Sequence, residues 1–192
     1  MQRRTLFFGL TVLFLLVAAG LTLALNQKPA LRGAVLNPAL PAPEISLLDQ
    51  HGQPFQLSRQ RGKVVLVYFG FVNCPEECPL TMAHFKQALE ILGESASEVQ
   101  VVMVSTDPVR DTPQALGAFL ANFNPSFLGL PGSPEQLAKI WKDYEVEVFD
   151  GGETHSSYTY VIDRHGYVVE NFVPDSSPED LAADLKALLA EK

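Results

Sequence analysis

The 192-residue sequence contains few cysteines and few basic residues, and it has no internal repeat or low-complexity tract. Cys74 and Cys78 are its only cysteines, which excludes a zinc ribbon because that site needs two cysteine pairs. Fourteen Lys and Arg residues stand against 22 Asp and Glu residues, for a formal net charge of −8. Nucleic-acid-binding proteins need clustered basic residues, so this acidic composition argues against that class.

Charge is also absent from Leu6 to Leu25, a run of twenty residues without proline. A helix of this length rises about 30 Å, the thickness of a bilayer core. Arg3 and Arg4 precede the run and predict a cytoplasmic N-terminus. We therefore expect residues 1–25 to be one anchor in the inner (plasma) membrane, with the rest of the chain on the extracytoplasmic side. The alternative is a cleaved signal peptide, although its apolar core is usually only about 7–15 residues long.

Residues 26–43 contain four prolines and no hydrophobic period, which predicts an extended linker between membrane and folded domain. The domain is predicted over residues 44–192. All 22 acidic residues but only 12 of the 14 basic residues lie beyond residue 25, so the exported part carries a net charge of −10. This charge favours solubility and attracts cations or basic partners.

The domain alternates between apolar strands and amphipathic helices. Val64–Phe69 and Val99–Ser105 are continuous apolar runs, as in strands that are buried on both faces of a sheet. Proline after Thr or Ser marks several helix starts. Further strands are predicted at 45–48, 55–57, 159–162 and 167–169, and helices at 79–93, 112–122, 133–141 and 177–189. This order indicates an α/β domain with a central sheet and helices on both faces.

Cys74 and Cys78 follow the first buried strand directly, in the loop that leads into a helix. Functional sites of α/β domains lie at the carboxyl ends of strands, and the free N–H groups at a helix start stabilise a thiolate. Two thiols this close can form a disulfide or hold one soft metal ion. Glu76 and Glu77 between them disfavour a reactive thiolate and tolerate a cation, unless both side chains simply point to solvent.

A metal bound by two thiolates needs at least one more ligand, and thiolates with an imidazole suit copper best. His51 and His165 fall in predicted turns, and His84 points away from Cys78 on the predicted helix. His155 lies in a glycine-rich loop before the strand 159–162. A methionine is an axial candidate but suits a core position better. In chain order, these candidates are His51, Met82, His84, His155 and His165.

Three segments resemble the signature blocks of the Sco/SenC family of copper chaperones. They are Val67–Pro79 with both cysteines, Ser105–Pro113, and His155-Ser156 before a strand that ends in Ile162-Asp163. The likeness extends from about residue 44 to the C-terminus. It implies a thioredoxin-like fold with a central mixed sheet, preceded by one transmembrane helix. It also implies that one copper ion, as Cu(I) or Cu(II), is bound by Cys74, Cys78 and His155.

Two positions depart from the family pattern. Asn73 stands where a histidine often precedes the first cysteine, and Thr154 stands where an aspartate often precedes the ligand histidine. Neither departure removes a ligand. The second removes a hydrogen-bond partner of the imidazole, so we expect the tuning of His155 to differ from that of other family members.

By resemblance, the chain is a metallochaperone rather than an enzyme, and it delivers copper to the binuclear copper centre of cytochrome c oxidase subunit II. A thiol reductant is a second expected partner, because the thiols must be reduced to load copper. The alternative is a thiol–disulfide oxidoreductase in which Cys74 and Cys78 reduce the recipient's cysteines. Thioredoxins place a cis-proline before the strand that corresponds to 159–162, and this sequence has no proline between Pro134 and Pro174, which counts against the alternative. A copper or redox sensor that binds without delivery stays open.

Overall fold

The structure is a computed structural model that describes residues 30–149 and 154–191. The predicted membrane anchor, residues 1–25, and the first part of the predicted linker, residues 26–29, lie outside the described residues. Within the described part of the chain, no helix has both the length and the apolar character needed to cross a bilayer.

The described residues form ten strands and four α-helices. The strands are β1 (Ala34–Pro41), β2 (Ser46–Leu48), β3 (Pro54–Gln56), β4 (Val64–Gly70), β5 (Val99–Ser105), β6 (Leu128–Leu130), β7 (Val148–Phe149), β8 (Thr154–His155), β9 (Thr159–Ile162) and β10 (Tyr167–Phe172). The helices are α1 (Glu77–Leu92), α2 (Pro113–Ala121), α3 (Pro134–Asp143) and α4 (Pro178–Ala190). Short 3-10 helices cover Leu57–Gln60 and Gly93–Glu98.

Six of these strands form one mixed sheet in the order β1-β10-β9-β4-β5-β6. The strands β4, β5 and β6 run parallel to each other, whereas β9 pairs antiparallel with both β4 and β10. The pairs β2–β3 and β7–β8 are two separate antiparallel hairpins. The predicted α/β architecture with a central mixed sheet and flanking helices is therefore confirmed.

Three of the helices begin at the Ser or Thr residues that the sequence marks as starts. The hydroxyl of Thr112 accepts a hydrogen bond from the backbone N–H of Ala115 across 3.1 Å. Ser133 and Ser177 accept equivalent bonds at the starts of α3 and α4. Each cap satisfies one of the N–H groups that a helix start leaves without an intrahelical partner, and the proline that follows needs none.

The sequence does not predict β1, because residues 34–41 fall in the segment assigned to the extended linker. The strand pairs antiparallel with β10, and its register shifts between Val35 and Leu40. β1 contains Pro38 and Pro41 and lies at the edge of the sheet, where a strand tolerates proline because only one side has a neighbouring strand. The folded domain therefore begins before residue 44.

The strand β4 separates the two apolar layers of the core. Leu66 and Tyr68 face the layer that contains α1 and α4, whereas Val67 and Phe69 face the layer that contains α3 and the β2–β3 hairpin. All seven residues of β4 are buried, which confirms the prediction of a strand covered on both faces. The loop that follows β4 is thus attached to the most enclosed strand of the domain.

Candidate metal centre

The cysteine loop begins where β4 ends at Gly70, and it leads into α1. A Cβ atom added to Gly70 would lie 2.9 Å from Sγ of Cys78 and 2.6 Å from the ring of Tyr68. Both distances are shorter than van der Waals contact, so only glycine leaves room for Cys78 to fold back onto the strand. Cys78 occupies the first turn of α1, close to the helix start that the sequence predicts.

The two cysteines are free thiols in different environments. Cys78 is fully buried, whereas Cys74 is partly exposed and its Sγ accepts a hydrogen bond from the backbone N–H of Cys78 across 3.3 Å. The hydroxyl of Tyr68 donates to Sγ of Cys78 across 3.5 Å. Burial raises the pKa of the Cys78 thiol to about 12, and the hydrogen bond from Tyr68 offsets only part of that rise. Burial therefore outweighs the thiolate stabilisation that a helix start predicts.

The carboxylate of Glu77 connects the cysteine loop to the segment that carries His155. It accepts a hydrogen bond from the hydroxyl of Ser157 across 2.7 Å. One of the two acidic residues between the cysteines thus has a structural partner, while the side chain of Glu76 is exposed. The contact joins α1 to a segment 80 residues further along the chain.

His155 lies in β8, beside the cysteine loop. Its ring stands edge-on to the ring of Phe71, with 5.9 Å between centroids and 85° between planes. Phe71 precedes Cys74 by three residues, so the structure brings the predicted histidine to the predicted loop. Nδ1 of His155 lies 3.1 Å from the carbonyl oxygen of Ser156. Among residues 30–149 and 154–191, no three His, Cys, Asp or Glu side chains are gathered closely enough to hold a metal ion.

The other candidates occupy the places that the sequence indicates. His51 and His165 lie in the turns after β2 and β9, with their backbone N–H groups donating to Asp49 and Asp163. The β9–β10 turn is at the end of the sheet opposite the cysteine loop, because β9 runs antiparallel to β4. Met82 is fully buried in the core.

The buried carboxylate of Asp111, which no local sequence pattern marks, links the cysteine loop to the end of β5. Asp111 accepts a hydrogen bond from the backbone N–H of Val72 across 3.0 Å and one from the hydroxyl of Ser105 across 2.6 Å. Burial raises the pKa of Asp111. The only signal of its role in the sequence is its position within Ser105–Pro113, the second of the resembling blocks.

Asp107 stabilises the turn that follows β5. Its carboxylate accepts the backbone N–H of Arg110 across 3.2 Å and forms an ion pair with the guanidinium of that residue. The guanidinium lies over the ring of Phe71, 6.0 Å from the centroid. Phe71 therefore contacts both the loop after β5 and the histidine of β8, and the three resembling blocks meet at this ring.

Comparison with known proteins places the chain in a family. The sequence model of the SCO1/SenC family matches residues 37–190. The chain belongs to the SCO1/SenC family. An SCO2-like protein of Rickettsia conorii is 34% identical over 152 residues, which is 74% of each chain.

Two solved structures of SCO1/SenC proteins share the fold. The copper-bound ScoI of Bradyrhizobium japonicum has a TM-score of 0.71 and 34% identity, and the match covers 77% of this chain and 99% of that one. The apo Sco1 of Thermus thermophilus has a TM-score of 0.74 and 35% identity, with 83% and 98% covered. The fold of this SCO1/SenC chain is thus represented by relatives both with and without copper.

Proposed function

We propose that the chain is a membrane-anchored copper metallochaperone that binds one copper ion through Cys74, Cys78 and His155. It would deliver that ion to the binuclear copper centre of cytochrome c oxidase subunit II. The observation that carries the proposal is the contact of His155 with Phe71, which holds an imidazole beside a loop with two free thiols. Membership of the SCO1/SenC family and the copper-bound relative from Bradyrhizobium japonicum support the choice of metal.

The donor set fits copper as a cargo. Thiolate sulfur and imidazole nitrogen are the ligands that Cu(I) prefers among protein side chains. A site with three ligands leaves a position at which an incoming ligand attacks before any resident ligand leaves. The described residues do not gather the three groups, so the imidazole of His155 and the two thiols have to approach each other to bind one ion.

The different exposure of the two thiols gives the delivery an order. Cys74 is partly exposed, so ligands of a recipient reach its sulfur first. Cys78 is enclosed by Tyr68 and the core, so its sulfur releases the ion last. The recipient then exchanges ligands one at a time, and no redox step is needed.

A thiol–disulfide oxidoreductase is the second candidate function, and the same two thiols favour it. Cys74 as thiolate would attack a disulfide of the recipient and form a mixed disulfide, releasing one recipient thiolate. Cys78 would lose its proton, attack Cys74 and release the second recipient thiolate, so two electrons pass to the recipient. Burial raises the pKa of Cys78 and so disfavours the thiolate that this second step needs.

Anaerobic titration of the reduced full-length chain in detergent with Cu(I), in competition with a chromophoric chelator, tests the proposal. We expect one copper ion per chain in the unaltered protein and in the control variant His84→Ala, whose histidine lies on α1. His155→Ala should weaken the affinity at least about tenfold. The three-ligand proposal is wrong if His155→Ala keeps full stoichiometry and affinity. A His155→Ala chain that loses copper but still reduces a disulfide of the recipient would separate the two functions.

We also propose that residues 1–25 anchor the chain and that its domain lies on the extracytoplasmic side. The charge-free run from Leu6 to Leu25 supports this orientation. Alkaline phosphatase fused to the C-terminus folds only after export, so the fusion should be active and should sediment with membranes. If the cell cleaves residues 1–25, the active fusion protein will instead appear in the soluble fraction and lack those residues, which would identify a signal peptide.

A further inference from the structure

A groove of about 310 Å³ lies on the α3 side of the sheet, between the end of α3, the strand β1 and the start of β9. Its walls are apolar and aromatic, and its charged lining residues are acidic. We call it the tyrosine groove. Its lining includes Leu40, Asp143, Tyr144, Glu145, Tyr158 and Tyr160.

Two tyrosine rings in the groove are held at a right angle. The rings of Tyr144 and Tyr160 lie 5.3 Å apart between centroids, with 83° between their planes. Each hydroxyl is used in fixing a ring, since Tyr144 donates to the carbonyl of Pro43 across 2.8 Å and Tyr160 donates to the carbonyl of Tyr144 across 2.7 Å. Tyr158 is half-exposed at the mouth. Aromatic faces carry partial negative charge and attract cations, so the lining suits a cationic group.

The charges of the groove have a single sign. Among its described lining residues, Asp143 and Glu145 are charged and none is basic. Asp143 is paired with Lys139 across 2.5 Å, whereas Glu145 forms no ion pair with the described residues. Burial raises the pKa of Tyr160 to about 12, and the neighbouring Glu145 carboxylate adds to the rise. The groove thus combines negative potential with apolar walls.

We propose that the tyrosine groove binds an arginine or lysine side chain presented by an apolar segment of a partner protein. The cation pairs with Glu145 and lies against the exposed ring of Tyr158, while the flanking apolar residues of the segment cover Leu40 and its neighbours. Leu40 is 53% exposed and Tyr158 is 46% exposed, so apolar surface is left for the segment to bury. The net charge of −10 beyond residue 25 attracts a basic partner over distance.

The groove shares no residue with the candidate metal site, and its Tyr144 and Tyr160 lie in the core layer opposite the one that contains Cys78. Tyr158 follows His155 by three residues, and β9, which carries Tyr160, pairs with β4 just before the cysteine loop. The binding itself does not depend on copper, so the inference is tested separately from the proposed function.

The backbone at Glu145 allows a test that does not disturb the fold. Glu145 has φ +56°, the left-handed conformation, in the position after the end of α3. Its N–H donates to the carbonyl of Lys142 and the N–H of Val146 donates to that of Trp141, which is the usual helix-ending turn for glycine. Glycine adopts this conformation without strain, so Glu145→Gly removes the carboxylate and leaves stability equal or higher.

Two labelled pentapeptides serve as probes, with the sequence Gly-Leu-Arg-Leu-Gly and capped ends. In the second peptide, citrulline replaces arginine and keeps the shape without the charge. Fluorescence anisotropy with the full-length apo chain in non-ionic detergent measures the dissociation constants. We expect the arginine peptide to bind at least about tenfold more tightly than the citrulline peptide. Glu145→Gly should remove that difference, and Tyr158→Leu, which keeps apolar area, should weaken only the arginine peptide by about threefold to fivefold.

The matched control is Glu90→Gln, an exposed carboxylate on α1 outside the groove, which should bind both peptides as the unaltered chain does. Equal binding of the two peptides, or unchanged binding by Glu145→Gly with an unchanged melting temperature, overturns the inference. So does an effect of Glu90→Gln as large as that of Glu145→Gly, because long-range charge would then explain the binding. An arginine peptide that does not bind below about 1 mM also overturns it.

Discussion

The hydroxyl of Tyr68 donates a hydrogen bond to Sγ of Cys78, and both side chains are fully buried. The hydrogen bond favours the thiolate, whereas burial disfavours it. Tyr68 of β4 thus lowers the pKa of the Cys78 thiol in α1, although less than burial raises it. Its own hydroxyl stays protonated, because burial raises the pKa of Tyr68 well above its usual value.

Tyr68→Phe should make the Cys78 thiol still less acidic. With the donor removed, the pKa of Cys78 rises further, so a smaller fraction is thiolate at a given pH. In a Cys74→Ser background, we expect alkylation by iodoacetamide at pH 9 to slow by about threefold to tenfold. Tyr144→Phe removes another buried tyrosine hydroxyl, far from the cysteines in the opposite core layer, and should leave the rate unchanged. Equal alkylation rates for Cys74→Ser with and without Tyr68→Phe would contradict a hydrogen bond from Tyr68 to the sulfur of Cys78.

Gly70→Ala should destabilise the domain and displace Cys78. The added methyl would lie within 2.9 Å of its sulfur and 2.6 Å of the Tyr68 ring, and overpacking of this kind costs about 1–3 kcal/mol. Gly117→Ala is the matched control, because the nearest atom to its Cβ is 3.5 Å away on the Gln50 side chain. That variant lies inside α2 and should gain about 0.5–1 kcal/mol. Urea unfolding measures both, and similar free energies for the two variants would refute the crowding at Gly70.

Asp111→Asn should loosen the cysteine loop. The amide keeps only one acceptor oxygen, so the N–H of Val72 and the hydroxyl of Ser105 no longer both donate to residue 111. We expect a loss of about 1–3 kcal/mol in the free energy of unfolding. Hydrogen exchange at the amide of Val72 should also become faster. Asp175→Asn, at an exposed carboxylate, should change neither quantity, and unaltered exchange in Asp111→Asn would show that this carboxylate does not hold the loop.

The stability of the domain should fall as the pH rises from about 4.5 to 8. Burial, together with the neighbouring Asp184, raises the pKa of Glu170 to about 8. The folded state therefore holds a proton that the unfolded state loses near pH 4.5, so the stabilisation is complete below that pH and is lost on the way to pH 8. The change is at most about 4 kcal/mol. Urea unfolding at pH 5.5 and 8.5 measures it.

Glu170→Gln is the matching variant for this pH dependence. Glutamine keeps the shape of the side chain and has no proton to lose, so the difference in free energy between pH 5.5 and 8.5 should shrink. At pH 8.5 the variant should be more stable than the unaltered chain. A variant with the same pH dependence as the unaltered chain would assign that dependence to other groups.

Local patterns in the sequence are sufficient for most of the fold. The buried strands β4 and β5 are continuous apolar runs, and the caps at Thr112, Ser133 and Ser177 mark their helices, because these signals depend on neighbours along the chain. The strand β1 has no such signal. It contains prolines and lacks alternation, and it becomes a strand only because β10 offers it an edge.

The candidate site divides in the same way. Spacing identifies the two cysteines, and the family resemblance selects His155, which the structure then places at the ring of Phe71. The support from Asp111 and the hydrogen bond from Tyr68 depend on contacts across 39 and 10 residues, which no local pattern reports. The tyrosine groove is assembled from β1, α3 and β9, so it too exists only in the folded chain.

The unequal surroundings of the two sulfur atoms make Cys74 and Cys78 unequal targets for mutagenesis. Cys74→Ser replaces a partly exposed sulfur atom, so its phenotype reports the loss of the thiol's chemistry rather than a folding defect. Serine at position 78 puts a hydroxyl between the Tyr68 ring and the interior, so its phenotype mixes chemistry with folding. An alkylating reagent at limiting dose likewise modifies Cys74 before Cys78. The fraction of Cys74 that is protected from alkylation therefore measures how much of the intact chain has bound copper.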